Sequence, residues 1–170
     1  MRLDVELVIL FFIMINKYMR EALIEANKAY EKLEVPVGCV IVKDDKIIAR
    51  AHNLRETKQN TLCHAETLCI SRACEALGTW RLLDCDLYCT LEPCSMCSGA
   101  IIQSRIRHLY FGASDKKTGA AGSKFNLFDI DFNHKVLVTG GILEQESRDL
   151  LKKFFKMLRK KNKDDKNLRD

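Results

Sequence analysis

Residues 86–112 read DLYCTLEPCSMCSGAIIQSRIRHLYFG, and this stretch decides the fold. Residues 86–90 form a short apolar run suited to a strand. Pro93 ends it, and the spacing predicts a short helix over 95–103. Residues 107–111 form a second strand-like run, closed by Gly112. A strand, a helix and a strand in so short a span point to an α/β domain.

The neighbouring sequence extends that pattern. Upstream, apolar positions 62, 65, 68, 69, 73 and 76 fit a helical period, with Thr61 as N-cap and Gly78 as the stop. Residues 39–42 and 47–51 are short apolar runs split by Asp44-Asp45, a hairpin signal. Residues 16–34 read as a helix with Leu23, Ala26, Ala29, Tyr30 and Leu33 on one side, closed by Pro36. Downstream, 112–133 reads mainly as loop and 135–139 as a strand. A final helix over 143–158 has Leu143, Leu150, Leu151, Phe154, Phe155 and Leu158 on its apolar face. The expected fold is α/β: three α/β/α layers around one mixed five-stranded sheet.

A chain of 170 residues suits one domain with one core. Two prolines and eight glycines argue against disorder. The net charge of +5 is uneven, since residues 151–170 carry nine Lys or Arg against three Asp. Such a segment is a solvated face or a contact for phosphates. Cys39, Cys69, Cys74 and Cys89 sit in apolar periodic segments, as buried thiols do. The eight cysteines therefore read as a reduced, cytoplasmic set rather than a disulfide framework.

The apolar run over 7–15 is too short to span a bilayer. Asp4 and Glu6 oppose a signal peptide, and no small-residue cleavage site follows. It reads as an extra buried segment or as leader sequence ahead of a start at Met14 or Met19. The chain thus divides into an N-terminal extension over 1–15, a domain over 16–159 and a charged, fraying tail over 160–170.

The chemistry begins at Cys94 and Cys97. Two thiols three residues apart at a helix start converge, and the exposed N–H groups there favour thiolate. Zinc takes such sulfur together with imidazole in a tetrahedron. A lone pair of this kind could equally be redox-active. His64 changes the balance, because it too lies early in an expected helix that follows strand material. One His and two Cys make three ligands, the number that leaves a catalytic zinc open to water. His52, His108 and His134 are competitors with poorer placement. Glu66, two residues beyond His64, can reach the same pocket and move protons. Its bland alternative is a helix N-terminal charge meeting the dipole.

The full pattern, His64-Ala65-Glu66 followed by Pro93-Cys94-Ser95-Met96-Cys97, resembles the signature of zinc-dependent nucleobase deaminases. The resemblance narrows further to the bacterial tRNA-specific adenosine deaminases. Glu34-Val35-Pro36-Val37-Gly38, Ala51-His52-Asn53 and Thr90-Leu91-Glu92-Pro93-Cys94 carry it, with Asp115 and Lys117-Thr118-Gly119-Ala120-Ala121-Gly122-Ser123. It implies a cytidine deaminase-like fold, one zinc per subunit, no organic cofactor, and hydrolysis of the wobble adenosine of tRNA to inosine. It further implies that Glu66 is catalytic and that His64, Cys94 and Cys97 hold the metal. Asn53, Ala65, Val35 and Pro36 would meet the target nucleoside, and Asp115 and Lys117 the RNA around it. Asp115 could accept from a ribose 2′-OH. Glu92 belongs to the motif without an assigned role. The implied partners are a tRNA anticodon stem-loop and a second copy of the chain, with the dimer contact near 95–103, and no membrane. Free cytidine, deoxycytidylate or guanine is the alternative substrate class. One departure stands out: Leu158-Arg159-Lys160-Lys161 replaces the paired arginines expected at the end of the last helix.

Overall fold

A computed structural model describes residues 5–167, with side chains up to residue 164. Helix α1 spans Val5–Glu31 and leads through Pro36 into strand β1, Gly38–Lys43. A tight turn at Asp44 and Asp45, both at positive φ, returns the chain as β2, Lys46–His52. The short helix α2, Arg55–Lys58, and helix α3, Ala65–Leu77, come next. Strand β3 (Cys85–Leu91), helix α4 (Ser95–Gln103) and strand β4 (His108–Ala113) realise the strand–helix–strand unit. The short strand β5 (Leu137–Thr139) and helix α5 (Glu144–Asn167) complete the chain.

The five strands lie in the order β2-β1-β3-β4-β5. Strand β1 is antiparallel to β2 and β3, whereas β3, β4 and β5 are parallel, so the sheet is mixed. Alternation along each strand feeds two cores. Cys39, Ile41, Leu87, Cys89, Leu109 and Phe111 point to one face and pack with Ala65, Cys69 and Ile101 from α3 and α4. Val40, Val42, Tyr88 and Tyr110 point to the other and pack with Ile15, Tyr18, Met19 and Ala22 of α1. Tyr88 and Tyr110 stack at 4.6 Å between ring centroids, and Tyr18 closes on Tyr88 at 5.3 Å. The three-layer α/β/α architecture follows from these two faces.

Several boundaries differ from expectation. Helix α3 begins at Ala65 with His64 as N-cap, not at Leu62 after Thr61. The buried stripe of α1 is Ile15, Tyr18, Met19, Ala22, Glu25, Ala26 and Ala29. Leu33 is exposed in the following turn at a φ of 59°. Residues 5–14 are not a buried segment: they extend α1 as helix with their apolar side chains largely in solvent. Helix α5 continues past Arg159 to Asn167, so most of the expected fraying tail is helical, and 168–170 lie outside the described residues. Within α5, Phe154 is buried while Phe155 is 43% exposed. Ile101 and Ile102, within the 95–103 helix, belong to the monomer core.

Candidate metal centre and substrate cleft

Helices α3 and α4 pack on the same face of the sheet and start at the same edge, and each has a metal-ligand type at its N-cap. His64 (φ −74°, ψ 155°) and Cys94 (φ −71°, ψ 175°) hold extended backbone there. N-cap side chains usually accept from the first turn. Neither of these does, so both side chains are available to turn towards each other. Cys97, one turn into α4, is fully buried and completes the set. His64 Nδ1 lies 3.7 Å from Cys94 Sγ and 3.6 Å from Cys97 Sγ. All three donor atoms fall within 4.8 Å of one another.

This donor set fits zinc. Zinc–sulfur bonds of about 2.3 Å and a zinc–nitrogen bond of about 2.1 Å, at a tetrahedral angle, separate S from N by about 3.6 Å. Without a cation, the three side chains share protons. Cys94 is pulled down to about 4, first by the hydrogen bond from the Cys97 thiol and then, against its burial, by His64. That same bond and burial push the Cys97 thiol up. The His64 imidazole is pulled up, chiefly by its bond to Cys94. A divalent cation takes the place of such shared protons.

Glu66 is the second residue of α3 and is 4% exposed. Burial, the largest influence, raises its pKa above the ordinary carboxylate value, with the Cys94 charge adding to it. A carboxylate that holds a proton more readily than a solvated one suits general acid–base work. His64, Glu66 and Cys94 line a cleft of about 170 Å³ together with Val35, Asn53, Ala65 and Asp115. Thr118, in the loop that carries the resemblance, also lines it, as does Arg55, which the sequence did not single out.

Pro36 and Lys117 do not line this cleft. Pro36 is fully buried, behind the cleft-lining Val35 and Val37. Lys117 lies in a separate groove with Arg148, Leu151, Lys152, Phe155 and Arg159 of α5. The competing histidines are engaged away from the metal centre. His52 Nδ1 bonds Glu25 and its Nε2 bonds Lys32, each at 2.9 Å. His108 bonds Thr139 Oγ1, and His134 bonds the carbonyl of Ile106.

Asn53 is held on three sides. Its Nδ2 donates to the carbonyl of Val35 at 3.4 Å and to Glu34 at 3.5 Å, and its Oδ1 accepts from the Arg55 N–H at 3.3 Å. Asn53 thus closes the turn after β2 and lines the cleft as well. Glu34, fully buried, also accepts the N–H groups of Glu56 and Thr57 at the start of α2. Glu92, 2% exposed, accepts three N–H groups from the loop after β4. Sequence reasoning gave neither carboxylate a task. The available signal was an acidic residue one or two positions before a proline, at Glu34-Val35-Pro36 and Glu92-Pro93.

Residues 14–159 match the MafB19-like deaminase family. The tRNA-specific adenosine deaminase of Bacillus subtilis is 54% identical over 147 residues, spanning 86% of this chain and 91% of that protein. A structure from work on A-to-I editing by tRNA:A34 deaminases at the wobble position of transfer RNA is also similar. It shares 44% identity at a TM-score of 0.75, covering 79% of this chain and 98% of the other. The guanine deaminase from Nitrosomonas europaea is more distant, at 26% identity and a TM-score of 0.69, with 82% and 83% covered.

Proposed function

The chain belongs to the MafB19-like deaminase family, and from that premise we propose that it hydrolyses the wobble adenosine of a tRNA anticodon to inosine, releasing ammonia. The observation that carries this reading is a buried carboxylate, Glu66, sharing one cleft with His64 and Cys94 of the His-Cys-Cys donor set. The similarity to the Bacillus subtilis tRNA-specific adenosine deaminase supplies the substrate.

One zinc ion per subunit, held by His64, Cys94 and Cys97, would supply Lewis acidity and bring the ionisation of water towards neutral pH. Glu66 moves the protons. Its carboxylate takes one from water, holds it because burial favours the protonated form, and delivers it to the substrate as the amine departs. Asn53 and the N–H of Ala65 orient the base, Val35 packs against it, and Pro36 stiffens the wall behind. An anticodon loop can offer its base unstacked, which a cleft of this kind requires. Asp115 accepts from a ribose hydroxyl near the mouth. Lys117, with the basic residues of α5, meets the RNA backbone rather than the base.

Among the described residues, no helix is long and apolar enough to cross a membrane. The enzyme works in the cytoplasm as a homodimer, with the functional domain over residues 16–159. Its dimer contact uses the outward side of α4, where Met96 is half-buried.

Inosine mapping on anticodon stem-loops tests the reading. The protein should convert a stem-loop with adenosine at the first anticodon position and leave one with guanosine there unchanged. Glu66→Gln should keep its zinc and lose turnover by about 100-fold or more. Ammonia release from free guanine, cytidine or deoxycytidylate without inosine in RNA would overturn the substrate.

A further inference from the structure

We propose that Glu92 is a positioning residue that fixes the Asp115–Thr118 wall of the cleft and thereby sets the affinity for RNA. The proposal rests on the tRNA reading above, but its structural half can be tested alone.

The loop between β4 and the turn at Leu127 has almost no secondary structure of its own. It holds only two isolated bridges, Cys94 to Gly119 and Ala121 to Asn126. A loop of this length needs other partners for its backbone polar groups. Glu92 provides three of them. Its Oε2 accepts the Asp115 N–H at 2.9 Å, and its Oε1 accepts those of Ala121 at 3.0 Å and Ser123 at 2.9 Å. These are charge-assisted bonds in a buried setting, which are stronger than neutral ones. The backbone on either side of the carboxylate adds two more ties: the Glu92 N–H donates to Ala113 O, and Pro93 O accepts the Ala120 N–H.

The effect converges on Asp115. With its own N–H fixed by Glu92, its carboxylate accepts the Lys117 N–H at 2.9 Å and the Thr118 hydroxyl at 2.5 Å. Asp115 and Thr118 both line the cleft. Glu92, two residues before Cys94, therefore ties Asp115, at the start of this wall, to the Ala121 and Ser123 backbone beyond it. Gly119 sits against it so closely that an added Cβ would fall 2.4 Å from Glu92 Cδ and 2.5 Å from its Oε2.

Glu92→Gln tests this. The amide keeps the volume but turns an NH2 group towards backbone donors. Residues that hold substrate equally in ground and transition states affect KM rather than kcat. The variant should raise KM for the anticodon stem-loop roughly 10- to 100-fold and change kcat by less than about threefold. Zinc per chain should stay at the wild-type value. The Asp115, Ala121 and Ser123 amides should exchange hydrogen faster than in the wild type. In an Asp115→Ala background, Glu92→Gln should add little, because the two act as one unit. Gly119→Ala crowds both this carboxylate and the Asp115 carbonyl oxygen, each within 2.5 Å of the added Cβ. It should reproduce the KM and exchange effects, and it carries the test if Glu92→Gln fails to fold. An unchanged KM, additive losses in the double variant, or zinc loss in step with activity would each overturn the proposal. If the wild type makes no inosine, the tRNA reading falls. Exchange at the three amides then decides whether Glu92 holds the loop.

Discussion

Glu25 shows how much a single buried carboxylate is asked to do. It lies on the sheet-facing side of α1, 3% exposed, with Lys28 Nζ at 2.6 Å and His52 Nδ1 at 2.9 Å. Burial pushes its pKa up, but the hydrogen bonds and charges of Lys28 and His52 outweigh this and leave it below the ordinary value. A depressed folded-state pKa contributes stability above the unfolded value, about 4.3, and loses it as pH falls through the folded value. Glu25→Gln should therefore be less stable than wild type at pH 7. The gap should narrow as pH drops below about 4. Thermal midpoints measured across pH 3 to 7 check this, and a gap that is constant with pH would refute the linkage. Glu34 and Glu92 are buried as well, and each accepts backbone N–H groups.

Among the elements, α1 and β1 set the tightest constraint. A Cβ on Gly38 would lie 2.0 Å from the carbonyl oxygen of Ala22 and 2.3 Å from the nitrogen of Ala26. Helix and strand meet here backbone to backbone, which only glycine permits. Gly38→Ala should cost about 3 kcal/mol or more in urea unfolding, because backbone cannot move aside as a side chain can. The sequence announced the strands and the long helices, since periods of two and of 3.6 survive in local spacing. It did not fix the phase of α1, because apolar residues surround that helix and only packing selects the Ile15–Ala29 stripe. Helix α2 is four residues long, too short to show a period, and it is capped by Glu34 from a distant segment. The metal ligands were legible as a local motif. The carboxylates that hold the cleft walls were not, because their partners lie 19 to 31 positions away in the chain. Helix α5 carries a further expectation. Arg148 and Lys152 face the groove that also holds Lys117. Replacing both with Glu should weaken stem-loop binding. It should also lower the salt dependence of that binding by roughly 0.7 log units for each phosphate no longer neutralised. Zinc content should not change. Binding with an unaltered salt slope would remove α5 from the RNA interface.

On the scale of the whole molecule, the first turns of α1 stand apart from everything the fold needs. Val5, Leu7, Phe11 and Phe12 are each more than half exposed, at 69%, 64%, 51% and 56%. Ile15 is the first residue of α1 to be buried, and the family match begins one residue earlier, at 14. Apolar side chains left in water contribute little to folding, and a cluster of them favours association. Phe11 does line a second cavity together with Tyr18 and Tyr110, so its removal is felt locally. The metal centre lies elsewhere, at the start of α3 and α4. A chain that starts at Met14 should therefore bind one zinc and deaminate the stem-loop within about twofold of the full chain. Its melting temperature should shift by only a few degrees, about 1 kcal/mol in a domain of this size. Light scattering on heating should fall, because the exposed apolar turns are gone. Loss of zinc or of turnover in that shorter chain would place residues 1–13 inside the functional domain. It would also move the domain boundary proposed near residue 16 towards the first residue.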